Sequence, residues 1–428
     1  MIGTLYIVSF ERVLGVSDAS FLRSLNVQLV FVVGMVSSLQ SLISPAFPTM
    51  TETLGIPEAS IGLVFTAYTF PAIVLLPIMG TAADIFGRKF VVVPGLLLFG
   101  GAGMAIGFVT SFETILALRV LQGIGYAAFN PLTVVMLGDL LSGPTESAAQ
   151  GTRVVLNNST AFFGPVVGGI LAGIAWNYPF MVYAVGIPVG LLVLFKYTEE
   201  DARGFNDNPS ASFLTTLRQT LGEYFRDMLS VSRDPFILGI LTAGFLRMFL
   251  KYTLYTFLAL AIVQQYGGSF SFAGLLIGAY SGIGAVVATQ AARFTESLSY
   301  EYALIVGFLV ASVAFSLFPI ADGVLVLTVL VLLHGVGEGI INPIHKSLLT
   351  QSVTREARAG LSALNGTVQA VSKTATPVVM SFPLLLFGSP RYDLLFLIAG
   401  VISLAASLVS VVALSFGGMS PRRTRLRS

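Results

Sequence analysis

The chain has 428 residues, of which 55% are hydrophobic and 10% charged, with a mean hydropathy of +0.87. No water-soluble protein could carry so much apolar surface, so this is a membrane protein. The net charge of +2 carries no information about nucleic acid, because in a membrane protein what matters is where charges sit, and zero cysteines exclude disulfides and thiolate metal sites.

Residues 1–23 carry Glu11, Arg12, Asp18 and Arg23 and are expected to be a cytoplasmic N-terminal segment. An apolar run follows from about Ser24 to Ala46. It is long enough for the roughly 20 residues that cross a bilayer, and too long for a signal peptide. Length and hydropathy predict five more spans near 60–80, 91–110, 114–138, 153–174 and 178–196. Residues 197–234 then turn polar, with Phe213, Leu214, Leu217, Leu221 and Phe225 at the spacing of an amphipathic helix lying on the membrane surface. Six further spans are predicted near 235–262, 271–292, 301–319, 323–346, 360–386 and 392–415, followed by a basic tail over 416–428. The expected organisation is an N-terminal bundle over 24–196, a linker over 197–234 and a C-terminal bundle over 235–415.

The two bundles are diverged copies. Gln122 to Pro131 reads QGIGYAAFNP and His334 to Pro343 reads HGVGEGIINP, an offset of 212 residues. The same offset carries Gly164-Pro165 onto Thr376-Pro377, Asn157 onto Gln369 and Asp84 onto Glu296. A period this long is a duplicated domain in one orientation, not a solenoid. Alternating the connections places Arg12, Arg23, Arg88, Lys89, Arg153 and the basic residues of the linker and tail on one side, with Arg391 alone on the other. That asymmetry predicts cytoplasmic termini and a cytoplasmic linker in a cell membrane. The predicted fold class is an all-α membrane protein of twelve transmembrane helices in two six-helix pseudo-repeats, an architecture that binds substrate between its halves.

Gly80 to Lys89, GTAADIFGRK, resembles the loop signature of the major facilitator superfamily at the junction of helices 2 and 3. Arg119 with Gln122, Gly123 and Gly125 is similar to the fourth-helix signature of its twelve-helix drug:proton antiporters. Gly164, Pro165, Gly168 and Gly169 resemble their fifth-helix signature, although Thr160 stands where that signature begins with glycine. The resemblance covers residues 24 to about 415. It implies alternating access, a link between Arg119 and proton exchange, and a gating hinge at Gly164 and Pro165. Plain helix packing explains those glycines equally well, and Arg119 could instead be structural, bonded to helix 1 carbonyls or Gln40. Within the loop signature of Gly80, Asp84, Gly87, Arg88 and Lys89, Asp84 can accept from exposed helix amides and pair with Arg88, a latch on the cytoplasmic side.

The second half carries polar stripes at i, i+4 and i+8: Arg247, Lys251 and Tyr255 on helix 7; His334, Glu338 and Asn342 on helix 10; Asn365, Gln369 and Lys373 on helix 11. Counting from the helix ends places Arg247, His334 and Lys373 near the bilayer midplane, where ionisable groups mark substrate or proton paths. The expected cavity lining is Gln40, Tyr126, Asn157, Arg247, Lys251, Tyr252, Tyr255, His334, Asn342, Gln369 and Lys373. Within the spans Arg119, Arg247, Lys251 and Lys373 oppose Glu338 alone, a balance that suits an anion. Alternatively Glu338 pairs with Arg247 or Lys373 to hold helices together while Lys251 snorkels outwards. Glu338, the only midspan carboxylate, is the candidate proton carrier, and a lone histidine such as His334 is as often a packing residue. Trp176 is expected as an interfacial anchor.

There is no phosphate-cradling loop and no catalytic constellation. The chain is expected to be a transporter without cofactor or metal, and not an enzyme. It is expected to act as a monomer on a small-molecule substrate and protons in the bilayer, with no nucleic-acid partner. The function favoured is proton-coupled export of a small organic solute, anionic or amphiphilic. A symporter or uniporter importing a metabolite anion is one alternative, and a non-transporting membrane sensor or scaffold is another.

Overall fold

The computed structural model describes residues 20–199, 213, 215–219, 222, 234–291, 293, 295, 298–351, 358–387 and 391–418. The described residues are helical, without strands. In the first half, α1 is Leu25–Leu54, α2 Gly62–Phe86, α3 Arg88–Ile106, α4 Phe112–Leu140, α5 Gly143–Ala172 and α6 Tyr178–Lys196. In the second, α7 is Pro235–Gln265, α8 Phe270–Ala288, α9 Tyr300–Ser316, α10 Val324–Gln351, α11 Arg358–Val379 and α12 Tyr392–Gly418. The amphipathic positions Leu214, Leu221 and Phe225, the repeat partner Glu296 and most of the basic tail lie outside the described residues.

Among the described residues, nine helices are long and apolar enough to cross a membrane, and α9 and Tyr392–Leu408 are apolar but shorter. Helix α11 is outside both sets because Asn365, Gln369 and Lys373 interrupt its apolar character. Helix α5 starts at Gly143 rather than near 153. Hydropathy detects only the lipid-embedded part of a helix, and the first turns of α5 carry Glu146, Gln150 and Arg153.

Local chemistry sets the helix ends. Ser111, Asp234, Ser269 and Ser299 each cap a helix by accepting from a backbone amide two or three residues on. Helix α4 breaks between Phe129 and Leu132, where Pro131 has no amide hydrogen to continue the ladder. Helix α1 tightens into a 3-10 segment over Leu39–Ala46, which contains Pro45 and carries Gln40 near its start.

The halves meet through α2 against α11 and α5 against α8, which are equivalent pairs under the repeat. Two of the closest approaches are themselves equivalent. A Cβ on Gly62 would lie 2.6 Å from the Pro377 carbonyl oxygen, and one on Gly274 would lie 2.2 Å from that of Pro165. The 212-residue offset relates Gly62 to Gly274 and Pro165 to Pro377. Only glycine permits backbones this close.

These seams lie towards the face where α1 ends and α2 begins, here the far face. On the opposite, linker face, Leu25–Ser37 of α1 and Leu132–Leu140 of α4 pack chiefly within their own half. Among the described residues, the closest approaches between the two bundles therefore lie at the far face. Trp176 lies in the α5–α6 connection, is 8% exposed and packs edge-on against Phe180 at 6.0 Å, so its ring is held by protein contacts.

Candidate functional site

A cavity of about 220 Å³ lies between the halves. The first half contributes Ser37, Ser38, Gln40 and Ser41 from α1, Tyr126 and Asn130 from α4, and Asn157, Asn158 and Ala161 from α5. The second contributes Met248, Lys251, Tyr252 and Tyr255 from α7 and Lys373 from α11. At its centre Gln40 donates through Nε2 to the Tyr126 hydroxyl and accepts through Oε1 from the Tyr252 hydroxyl. Gln40 and Tyr252 are 212 residues apart, so the bridge joins two repeat-equivalent positions.

The cavity is electrostatically one-sided. It is lined by two lysines and no carboxylate. Lys251 Nζ sits 5.4 Å from the Tyr255 ring centroid and Lys373 Nζ 6.0 Å from that of Tyr252. Neither ammonium has a carboxylate or a hydrogen-bond acceptor among the described residues. The aromatic faces stabilise these cations modestly and leave their N–H groups free.

Of the residues expected at the site, Gln40, Tyr126, Asn157, Lys251, Tyr252, Tyr255 and Lys373 come together here. Arg247, His334, Asn342 and Gln369 do not line the cavity. Arg247 Nη1 donates to Glu338 Oε1 at 3.0 Å, a buried ion pair between α7 and α10. His334 is turned towards α9, with Nδ1 3.1 Å from the Ala311 carbonyl oxygen and its ring stacked between Tyr280 and Phe315. Asn342 Oδ1, Asn365 Oδ1, Arg247 Nε and the Tyr280 hydroxyl are buried without a hydrogen-bond partner, so polar potential gathers around this ion pair.

Arg119 is fully buried and has no carboxylate beside it among the described residues. Its Nε donates to the Val64 carbonyl at 3.1 Å and its Nη1 to Gln122 Oε1 at 2.5 Å, while the guanidinium lies 4.4 Å from the Tyr68 ring centroid. Its Nη2 and Gln122 Nε2 have no partner. It contacts neither Gln40 nor the cavity.

At the linker face Arg88 pairs with Asp84, and its Nε donates to Asp139 Oδ2 at 3.1 Å. The amide at the start of α3, Arg88 N, donates not to Asp84 but to Glu199 Oε1 at 2.5 Å, and Lys89 Nζ donates to the Tyr197 carbonyl at 3.0 Å. Asp139 and Glu199 were not legible as partners because Asp139 lies on α4 and Glu199 in the connection after α6. Gly87, at φ 96°, faces Glu199 Oε2 2.9 Å from where a Cβ would sit, so the turn requires glycine. Gly80 has open space instead. Gly164 likewise faces open space; the tight approaches fall on Gly168 against the Leu42 carbonyl and Gly169 against that of Phe270.

The far face also holds a contact that sequence reasoning missed. The Tyr392 hydroxyl at the start of α12 lies 2.6 Å from Glu58 Oε2, in the α1–α2 connection, and 2.6 Å from Gln264 Oε1 at the end of α7. Glu58 belongs to the first half and the other two to the second.

A helical membrane protein of two repeated bundles with a polar cavity on the axis between them is a transporter, not an enzyme. The family model described as Major Facilitator Superfamily matches residues 29–250 and 240–428, and the chain belongs to that superfamily. A segment of 162 residues is 35% identical to the bacillibactin exporter of Bacillus subtilis, covering 36% of this chain and 39% of that one. Another of 130 residues is 31% identical to the multidrug transporter protein MdtP of the same organism, covering 30% of this chain and 24% of that one. These matches span well under half the length of either relative. Over nearly the whole chain the fold resembles two solved structures. A bacterial homolog of the human lysosomal transporter Spinster, inward-facing and unoccupied, gives a TM-score of 0.68 at 17% identity, covering 92% and 96% of the two chains. A peptide transporter POT in complex with sulfate gives 0.72 at 15%, covering 92% and 95%.

Proposed function

We propose that this protein is a monomeric, proton-coupled exporter of a small organic anion across the cell membrane, working by alternating access with its termini and linker in the cytoplasm. The observation that carries the reading is the central cavity, with Lys251 and Lys373 unpaired and no carboxylate in its lining. Two uncompensated ammonium groups in a confined low-dielectric space attract an anion and repel a cation. The segmental likeness to proteins named as a bacillibactin exporter and a multidrug transporter supports outward transport. With the linker face cytoplasmic, the described conformation is inward-facing.

In this reading Glu338 carries the proton, because it is the carboxylate of a buried ion pair at midspan with unpartnered polar groups around it. Arg119 couples proton movement to the first half. Gly80, Asp84, Gly87, Arg88 and Lys89 form the cytoplasmic latch, and Gly164 with Pro165 the pivot of α5. Arg247, His334, Asn342 and Gln369 support the site from behind the cavity wall.

A second reading, uptake of a metabolite anion together with protons, is favoured by one observation: the cavity has no carboxylate on which a proton could compete with cargo. Proteoliposomes containing pyranine separate the two. With the protein reconstituted and gradients of gluconate, citrate or benzoate imposed, exchange moves protons opposite to the anion and symport moves them with it. Either movement should vanish in Glu338→Gln. Proton movement driven only by tetraphenylphosphonium, and indifferent to Lys251→Gln and Lys373→Gln, would end the anion reading.

A further inference from the structure

The composition of the cavity wall narrows the cargo further. Besides the aromatic faces, its apolar members are Ala161 and Met248; the others present hydroxyl, amide or ammonium groups. Its volume of about 220 Å³ falls below the roughly 300–1,000 Å³ of sites that hold drug-sized ligands.

Several of those polar groups are uncommitted. The Tyr126 hydroxyl accepts from Gln40, and its own proton has no acceptor among the described residues. The side chains of Asn130 and Asn158 have no described hydrogen bond, and the two ammonium groups have none either. Asn157, by contrast, is occupied: its amide, oriented to donate, reaches the carbonyls of Gly34 at 3.0 Å and Arg153 at 3.3 Å. The free groups therefore include two cationic donors, one phenolic donor, two amides and the Ser41 hydroxyl, spread over α1, α4, α5, α7 and α11 and so over both halves.

We propose that the cavity binds a small, hydrophilic, polyhydroxylated carboxylate, with Lys251 and Lys373 taking the carboxylate and Tyr126, Asn130 and Asn158 taking hydroxyl groups. This rests on the anion reading above and sharpens it by rejecting amphiphilic cargo. The physical reason is an asymmetry. A hydroxy acid offers an acceptor to each free donor, and its hydroxyls also donate to the amide oxygens. An apolar or amphiphilic molecule of the same volume would strip water from these groups and return nothing, and a site built to hydrogen-bond its ligand rejects analogues that lack the partner groups. The recognising groups come from both halves, so such a cargo ties the bundles to one another when bound, which a lipophilic ion held by one wall would not do.

The test is thermal stabilisation of the full-length purified protein by gluconate, citrate, octanoate, sorbitol and tetraphenylphosphonium, since a ligand of the folded state alone raises stability with concentration. Gluconate or citrate should stabilise and sorbitol and octanoate should not. Affinity should weaken about tenfold to a hundredfold in Lys251→Gln or Lys373→Gln, and Lys251→Arg should retain most of it. Tyr126→Phe with Asn130→Ala should weaken gluconate and leave the small anion acetate unaffected. Stabilisation by octanoate but by neither hydroxy acid, lost in the lysine variants, would sink the hydroxylated-cargo inference and leave the anion exporter standing. Stabilisation by tetraphenylphosphonium alone would overturn both. Absence of any shift with gluconate and citrate overturns the inference as well.

Discussion

Gln40 on α1 accepts a hydrogen bond from Tyr252 on α7, and the two occupy the same position in the two copies of the repeat. Repeat-equivalent residues that touch must lie on the axis relating the halves, so this bond marks the centre of the molecule. Gln40 also donates to Tyr126, which makes it the one side chain bonded to both hydroxyls. Replacing it with leucine leaves two phenols without their partner. Gln40→Leu is expected to cost about 1 to 3 kcal/mol, measured by denaturation in detergent, and Tyr252→Phe less, because Gln40 keeps Tyr126.

Breaking the Arg247–Glu338 pair from one side should be costly. Glu338→Ala leaves Arg247 buried without its counter-charge, an expected loss of about 3 to 5 kcal/mol. The double variant Arg247→Met, Glu338→Leu should recover most of that stability while losing proton-coupled flux. Recovery of flux along with stability would remove Glu338 from the proton path.

Arg119 presents the opposite split. It is buried without a carboxylate and with Nη2 unpartnered. Arg119→Met should therefore keep thermal stability within about 2 kcal/mol, because relief of the buried charge offsets the two lost hydrogen bonds to Val64 and Gln122, and abolish proton coupling in the pyranine assay. A marked fall in stability would make Arg119 a structural tie between α2 and α4.

Much of the architecture was legible in the sequence. Hydropathy gives depth in the membrane and the repeat gives topology, so an all-helical protein of two repeated bundles follows from the chain alone. Rotation about a helix axis is a different quantity. Lys251 and Arg247 are one turn apart on α7, yet Lys251 lines the cavity and Arg247 turns to α10; His334, at midspan, faces α9. Stripe periodicity places residues on one face of a helix but does not say which neighbour that face meets. Glu199 and Glu58 were out of reach for another reason: both lie in connections, where no periodicity constrains them.

The far-face contact of Tyr392 with Glu58 and Gln264 has its own consequence. A phenol has one proton, so it donates to one of these oxygens at a time. When the halves part, Tyr392 can pass its bond from Glu58 to Gln264 within its own half, while Glu58 meets water. Tyr392→Phe removes the inter-half bond, worth about 1 kcal/mol or about fivefold in the conformational equilibrium. With no native cysteine, Ser41→Cys provides a single reporter for an impermeant maleimide. Its labelling from the far side should accelerate about fivefold in Tyr392→Phe.

The same reporter tests the glycine seams. Gly62→Ala and Gly274→Ala each place a methyl against a proline carbonyl of the other half, so both should speed far-side labelling to a similar degree. Acceleration by only one of them would show the seams to be unequal in strength.

The paired seams carry a historical meaning as well. A contact in which Gly62 meets Pro377 while Gly274 meets Pro165 is self-complementary: one patch meets a second copy of itself, as at the interface of a symmetric dimer. A six-helix ancestor bearing that single patch would have paired with its own twin before the genes were fused. Fusion released the two copies from identity. A glutamine could then face a tyrosine on the axis, and both lysines of the cavity could gather on one side of it.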